Sequence, residues 1–412
     1  MRRASSLSLL TLLLLTACKP EPTPSEQGKL SGPAAEPAAT TKPAPTPTTA
    51  ELGATATPSV RDAMAGLTRL EGLLTSGEPV TAKAVEDART GALTDWVLAT
   101  DAALSRTDSD RITEALARLA ELDGPEHDDA RAGVLLVLVT QVRVAALFKM
   151  RQLLTVASDA DPSQVSVAIR ANQWDDAWTI WTAALRPLAH RADALERRGG
   201  EDWEATIVDA FRDGREQLDD PVAPKASRQI IEKGSYAVAY RLILANAESA
   251  KENDDAAAVS EAAVVLEQLD DRLADRNGPG LARMRQMLGG DPSQVDAAAI
   301  ERELAVAFVK RARKYCDKAV AKAELGQPGA IAETWEGVVY TKVILPSMRE
   351  ALGGQGFDAD AYAADWLDYL DAVTSNDADT AATISARLVE WNCAYQDHLG
   401  IAACTASANE PG

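Results

Sequence analysis

The chain has 412 residues and a formal net charge of −20, from 62 acidic and 42 basic side chains, with only three histidines. That acid excess excludes a chain that holds nucleic acid or an anionic membrane surface through its overall charge. Hydrophobic residues make up 46% and aromatics only 5%, so a core of small aliphatic side chains is expected, with helices built from the abundant Ala and Leu.

The chain opens MRRASSLSLLTLLLLTAC. Arg2 and Arg3 form a basic head, and Leu7 to Leu15 an apolar run too short to span a bilayer. Residues 1–17 therefore read as a secretion signal. The last four residues of this stretch, Leu15-Thr16-Ala17-Cys18, resemble the lipobox of bacterial lipoproteins. The resemblance implies that Cys18 takes a diacylglycerol and further acyl chains such as palmitate, which makes a durable membrane anchor. Lys19 follows the cysteine. The Asp that often retains such proteins in the inner membrane is not there, so the resemblance points to the outer membrane, facing the periplasm. Residues 18–58 are rich in Pro, Thr and Ala and lack aromatics. They form a disordered tether that reaches about 120 Å if fully extended.

Beyond the tether, almost every segment has helical spacing. In SRTDSDRITEALARLAEL, at 105–122, Ala115, Leu116, Leu119 and Leu122 share a face behind an acidic turn. The run VLLVLV at 134–139 alone fits a buried strand. It continues as TQVRVAALFKMRQLL in helical period, and Gln141 and Arg143 oppose membrane insertion. The spacing predicts one long central helix over 128–157.

A phrase then repeats. MRQLL at 150–154 and DPSQV at 161–165 return as MRQML at 284–288 and DPSQV at 291–295. Asp-Pro-Ser-Gln predicts a helix start, with Asp161 and Asp291 as caps and Pro162 and Pro292 in the first position. Gln164 and Gln294 would reach back to the cap. Only the connection between the two matched pieces changes length, as in a duplicated unit. Further on, Ala177-Trp178 pairs with Ala307-Phe308, Leu195 with Leu325, and Trp203-Glu204 with Trp335-Glu336 after a shift. Tyr236 and Tyr240 pair with Tyr362 and Trp366. ENDDAAAVSEAAVVLEQL at 252–269 is similar to SNDADTAATISARLVEWN at 375–392, with 105–122 as a fainter third copy. The expectation is an all-α tandem array of helical bundles. Its units run 59–158, 159–290 and 291–404, followed by a disordered tail at 405–412. Pro187 and Pro346 should kink or break their helices.

Few residues offer chemistry. His127, in PEHDDA, reads as part of a solvated helix start, and His190 and His398 as helix-surface residues. The acidic turns at 253–255 and 376–379 lack the central Gly and final Glu of a calcium loop and read as caps. Trp174, Trp178 and Trp181 share a face, which reads as core before ligand stacking. VKRARKYCDK at 309–318 is the one basic cluster; pairing with acidic faces of the neighbouring unit is the first reading, and an anionic partner the second. With Cys18 lipidated, Cys316, Cys393 and Cys404 remain, enough for one disulfide and one thiol. Cys393–Cys404 is the nearest pair, and Cys316–Cys393 is the alternative if their helices are neighbours. No GxSxG, SxxK, HExxH or phosphate-binding Gly loop occurs.

The first functional expectation is thus a non-enzymatic, lipid-anchored envelope scaffold. It binds the membrane through its anchor and a protein partner through its repeats, with no nucleic acid, no cofactor and no metal or catalytic residues. In being a duplicated, acidic, helical lipoprotein the chain also resembles helical iron-uptake lipoproteins of the imelysin type. That resemblance implies, as a second expectation, a periplasmic binder of a metal ion or small solute, although the GxHxxE motif of that family is absent.

Overall fold

The structure, a computed structural model, describes residues 52–75, 80–89, 91–122, 127–160, 164–195, 201–401 and 404–406. The leader, Cys18 and the tether as far as residue 51 lie outside the described residues. Among the described residues the regular structure is all helical, without a strand.

The chain is already ordered before the expected end of the tether. Thr57 donates its N–H to Asp176 at 2.6 Å, and the Thr55 hydroxyl donates to Asp175. Both acids are buried, so these donors satisfy carboxylates that would otherwise be stranded. Gly53, at φ +80°, lies against the Trp178 ring, where a Cβ would approach to 2.9 Å.

Five helices follow: α1 (Pro58–Thr75), α2 (Ala82–Ala88), α3 (Gly91–Leu104), α4 (Asp108–Glu121) and α5 (Asp128–Asp159). The stripe predicted for α4 faces inward, with Ala115 and Leu119 buried and Leu116 and Leu122 packed behind them. Helix α5 is the long central helix, at 32 residues. It is long and apolar enough to cross a membrane, but 67% of its apolar window is buried inside the fold. It is therefore a core helix, and VLLVLV is part of it.

The second unit contains α6 (Val167–Ala184), α7 (Arg186–Asp193), α8 (Trp203–Glu216), α9 (Ala223–Asn253), α10 (Ala256–Leu266) and α11 (Asp270–Leu288). Pro187 breaks the chain as expected, starting α7 where α6 stops. Gly214 lets α8 press on α6: a Cβ there would stand 2.3 Å from the Trp174 ring. Gly214→Ala is expected to cost about 1–3 kcal/mol through overpacking, read by urea unfolding. A variant as stable as the parent would show that Trp174 has room to move.

The third unit contains α12 (Ala297–Cys316), α13 (Lys318–Ala321), α14 (Pro328–Leu352), α15 (Ala359–Ser375) and α16 (Ala378–His398). Gly337 repeats the Gly214 device, with a Cβ position 2.4 Å from the Trp366 ring. Pro346 does not break its helix, which runs on to Leu352. The bend falls instead in α11, at Asn277 (φ −150°, ψ 57°), two residues before Pro279. The Asn277 amide repairs the interrupted ladder: it accepts from Gly280 N–H at 3.1 Å and donates to the Glu303 carbonyl at 2.8 Å.

The order of elements repeats. Each unit opens with a helix (α1, α6, α12), adds a short one (α2, α7, α13) and later turns a corner between two helices (α3 to α4, α9 to α10, α15 to α16). The three corners share one geometry. Ser105, Asp254 and Asn376 are left-handed, at φ 54°, 53° and 57°. The N–H of the next residue returns to a carbonyl five positions back, from Arg106 to Asp101, Asp255 to Ala250 and Asp377 to Ala372. This is the Schellman stop. Asp255 and Asp377 then cap the following helices through their side chains, so the acidic turns are caps. Counting back from the corners pairs Tyr240 with Tyr362, one turn out of step with the pairing read from sequence.

The repeated DPSQ is not a start of an α-helix. Asp161–Ser163 lie outside the described residues. In the second copy Asp291 caps only a 3-10 turn, Pro292–Gln294, accepting from Ser293 N–H at 2.9 Å. Gln294 contacts the Ser293 hydroxyl and does not reach the cap. Val295 then takes one extended step and is fully buried. The true caps come after that step, at Asp296 for α12 and Ser166 for α6. The far end of the chain is held as well: Thr405 donates to Gln396 at 3.0 Å and Ala406 accepts from Arg276 at 3.1 Å. Residues 405 and 406 are therefore tied to the fold, and 407–412 lie outside the described residues.

Candidate functional site: a cationic cleft

Helices α5, α6, α9, α11, α12 and α14 enclose an open cleft of about 950 Å³. Eight Lys and Arg side chains line it against four Asp and Glu. In a chain of charge −20 this is a local reversal of sign.

The floor is a buried ion network. Lys233, on α9, has its ammonium 2.9 Å from Glu232 and 3.6 Å from Glu336 of α14, and all three are buried. Burial alone would lower the Lys233 pKa, but the two carboxylates outweigh it and raise it. Glu336 is the mirror case: burial pushes its carboxyl up, and Lys233 and Arg311 bring it below the ordinary carboxylate range. One turn along α9, the Tyr236 hydroxyl accepts from Arg272 at 3.2 Å. The Arg151 and Arg272 guanidiniums lie over its ring, 6.0 and 5.8 Å from the centroid. Arg151 also donates to Asp271 at 3.0 Å. Burial works against its charge, but Tyr236, Asp271 and Glu232 more than reverse that and hold its pKa above the ordinary value.

The walls are different. Lys149 of α5, Lys225 of α9 and Lys314 of α12 line the cleft, and none of the three has a carboxylate within ion-pair distance among the described residues. Lys314 lies over the ring of its neighbour Tyr315, 5.2 Å from the centroid. Burial, then Arg311 and Lys318, depress its pKa. Glu336 offsets part of this. Between wall and floor sits Gln229, 6% exposed, its buried Oε1 without a hydrogen-bond partner.

The basic cluster at 309–318 is largely ion-paired, partly within its own unit and partly across to α11. Arg313 pairs with Asp317, Lys318 with Glu333, and Arg311 with Asp275 at 3.1 Å. Arg311 and Lys314 also face the cleft. The other cleft cations were missed in the sequence. Lys225, Arg228 and Glu232 follow one another at helical spacing, which marks a polar stripe, but the spacing does not say that the stripe turns inward. Arg151 lies in the repeated phrase, where it reads as packing; its counterpart Arg285 pairs with Asp270 on the surface.

The remaining candidates fall elsewhere. Trp174, Trp178 and Trp181 are buried around Phe211, and Trp174 Nε1 donates to the Phe211 carbonyl at 2.8 Å. His190 meets Glu204 at 3.1 Å on the surface, and His398 stacks on Tyr395. His127 precedes α5; the residues just before it lie outside the described residues. Cys393 and Cys404 are joined as a disulfide with Cα atoms 5.0 Å apart, and the buried Cys316 is a thiol whose pKa burial raises. Among the described residues no group of three or more His, Cys, Asp or Glu is placed to hold a metal ion. Comparison of the chain with protein-family models, curated proteins and solved structures finds no match.

Proposed function

We propose that the chain is a lipid-anchored, periplasm-facing, non-enzymatic binding protein of the cell envelope, and that its cleft holds an anionic ligand. One observation carries this reading: a concave site collects eight cations on a body whose charge is strongly negative. A volume of about 950 Å³ is in the range of small-molecule sites. The concavity and its local reversal of sign suit an anionic solute, the reading preferred over the protein partner expected first. Several of its basic side chains are held in ion pairs or against an aromatic ring, which keeps the site organised before a ligand arrives.

Two measurements test the parts separately. Cys18→Ser should move the protein from the membrane to the soluble fraction; a variant that still sediments with membranes contradicts the anchor. The soluble Cys18→Ser chain should melt at higher temperature with millimolar phosphate than with chloride of equal ionic strength, as expected for a ligand that binds only the folded state. Lys225→Glu with Lys314→Glu should abolish the difference. Equal melting in both salts contradicts the anion site.

A further inference from the structure

We infer that the cleft is built for a hydroxyl-bearing organic phosphate, as in a sugar phosphate or the glycerol phosphate of a lipid headgroup. This rests on the anion-binding reading above and deepens it.

Three features argue for it together. Lys149, Lys225 and Lys314 come from three different helices, and none has a carboxylate within ion-pair distance among the described residues, although Lys149 acts on Asp176 and Lys314 on Glu336 at longer range. A lysine ammonium is a point charge, and a tetrahedral phosphoryl group, which carries up to two charges at neutral pH, offers oxygens on several sides to such charges.

Second, Gln229 places a buried acceptor without a partner beside these cations. The ionised oxygens of a phosphoryl group only accept and cannot satisfy it. A ligand hydroxyl can donate to it, and a buried polar group without a partner is rare enough to need a reason. Third, at about 950 Å³ the cleft has room for more than a single phosphate. The space accommodates a polyol body behind the phosphoryl group.

The test is calorimetric titration of the full-length Cys18→Ser chain with three probes: inorganic phosphate, glucose 6-phosphate, and vesicles of phosphatidylcholine with one-fifth phosphatidylglycerol. Glucose 6-phosphate or the phosphatidylglycerol vesicles should bind at least tenfold more tightly than inorganic phosphate, and the responding arm tells free solute from lipid headgroup. Gln229→Leu should bring that ratio near one while leaving inorganic phosphate binding within twofold. This variant removes an unsatisfied acceptor, so it should fold as well as the parent, which a thermal melt checks. Equal binding of all phosphate probes, or a ratio untouched by Gln229→Leu, overturns the hydroxylated ligand while leaving the anion site standing. Absence of binding by every probe overturns both.

Discussion

Lys233→Met is expected to destabilise the protein by about 3–5 kcal/mol, because it strands two buried carboxylates. The ammonium lies 2.9 Å from Glu232 and 3.6 Å from Glu336, and neither acid can reach water freely. The loss should depend on pH in a definite direction. In the parent, Glu336 has a folded pKa below its unfolded value. Its contribution to stability is therefore complete above the unfolded carboxylate range and is lost as pH falls through the folded value. In the variant Lys233 is gone, and only Arg311, Tyr315 and Lys314 are left to oppose burial at Glu336. Its folded pKa should then lie above the parent's, so the variant loses less stability than the parent on acidification. The deficit between parent and variant should accordingly shrink from pH 7 toward pH 5. Urea unfolding at both pH values measures it; a deficit that grows on acidification would contradict the assignment. The double variant Lys233→Met with Glu336→Gln should recover part of the loss, as expected for coupled neighbours.

Arg106→Met is the second large effect, about 3 kcal/mol, and it tests how the first and second units are joined. Arg106 is the residue after the left-handed Ser105 at the α3 to α4 corner. Its guanidinium reaches Asp108 at 2.6 Å, then Glu267 at 2.7 Å and Asp270 at 3.1 Å in the second unit. Burial works against its charge, but Asp108 and Glu267 more than compensate and raise its pKa. Arg111 stands 3.4 Å from Glu267 and 3.6 Å from Asp108. It can cover part of the exposed deficit, which places the loss at the lower end of the range for a broken buried pair. Calorimetry should show one cooperative transition at lower temperature. A melt unchanged from the parent would mean that the contact is incidental to the seam.

Much of this fold was legible in the sequence because helix faces and helix ends are local properties. The stripe of α4, the largely buried course of α5 and the acidic caps at Asp255 and Asp377 follow from residues a turn or two apart. Where a long-range contact decides a local matter, the reading slipped. DPSQ carries every local mark of a helix start, yet the burial of Val295 imposes an extended step first. Pro346 sits inside a continuous helix, while the bend in α11 is set by Asn277 reaching Glu303 of α12. The cleft was almost invisible for the same reason. Lys149, Lys225 and Lys314 are far apart in the chain, and each looks like an ordinary surface lysine until three helices bring them to one concavity. The acid excess of the whole chain concealed the local reversal further.

The central claim is that this cleft is where an anion binds, and heavy-atom diffraction tests it most directly. Crystals of the Cys18→Ser chain soaked in tungstate, a tetrahedral dianion with strong anomalous scattering, should show their principal peak in the cleft among Lys149, Lys225 and Lys314. Lys225→Glu with Lys314→Glu should remove that peak. Tungstate found only outside the cleft, or bound there equally in the charge-reversed variant, would contradict the account.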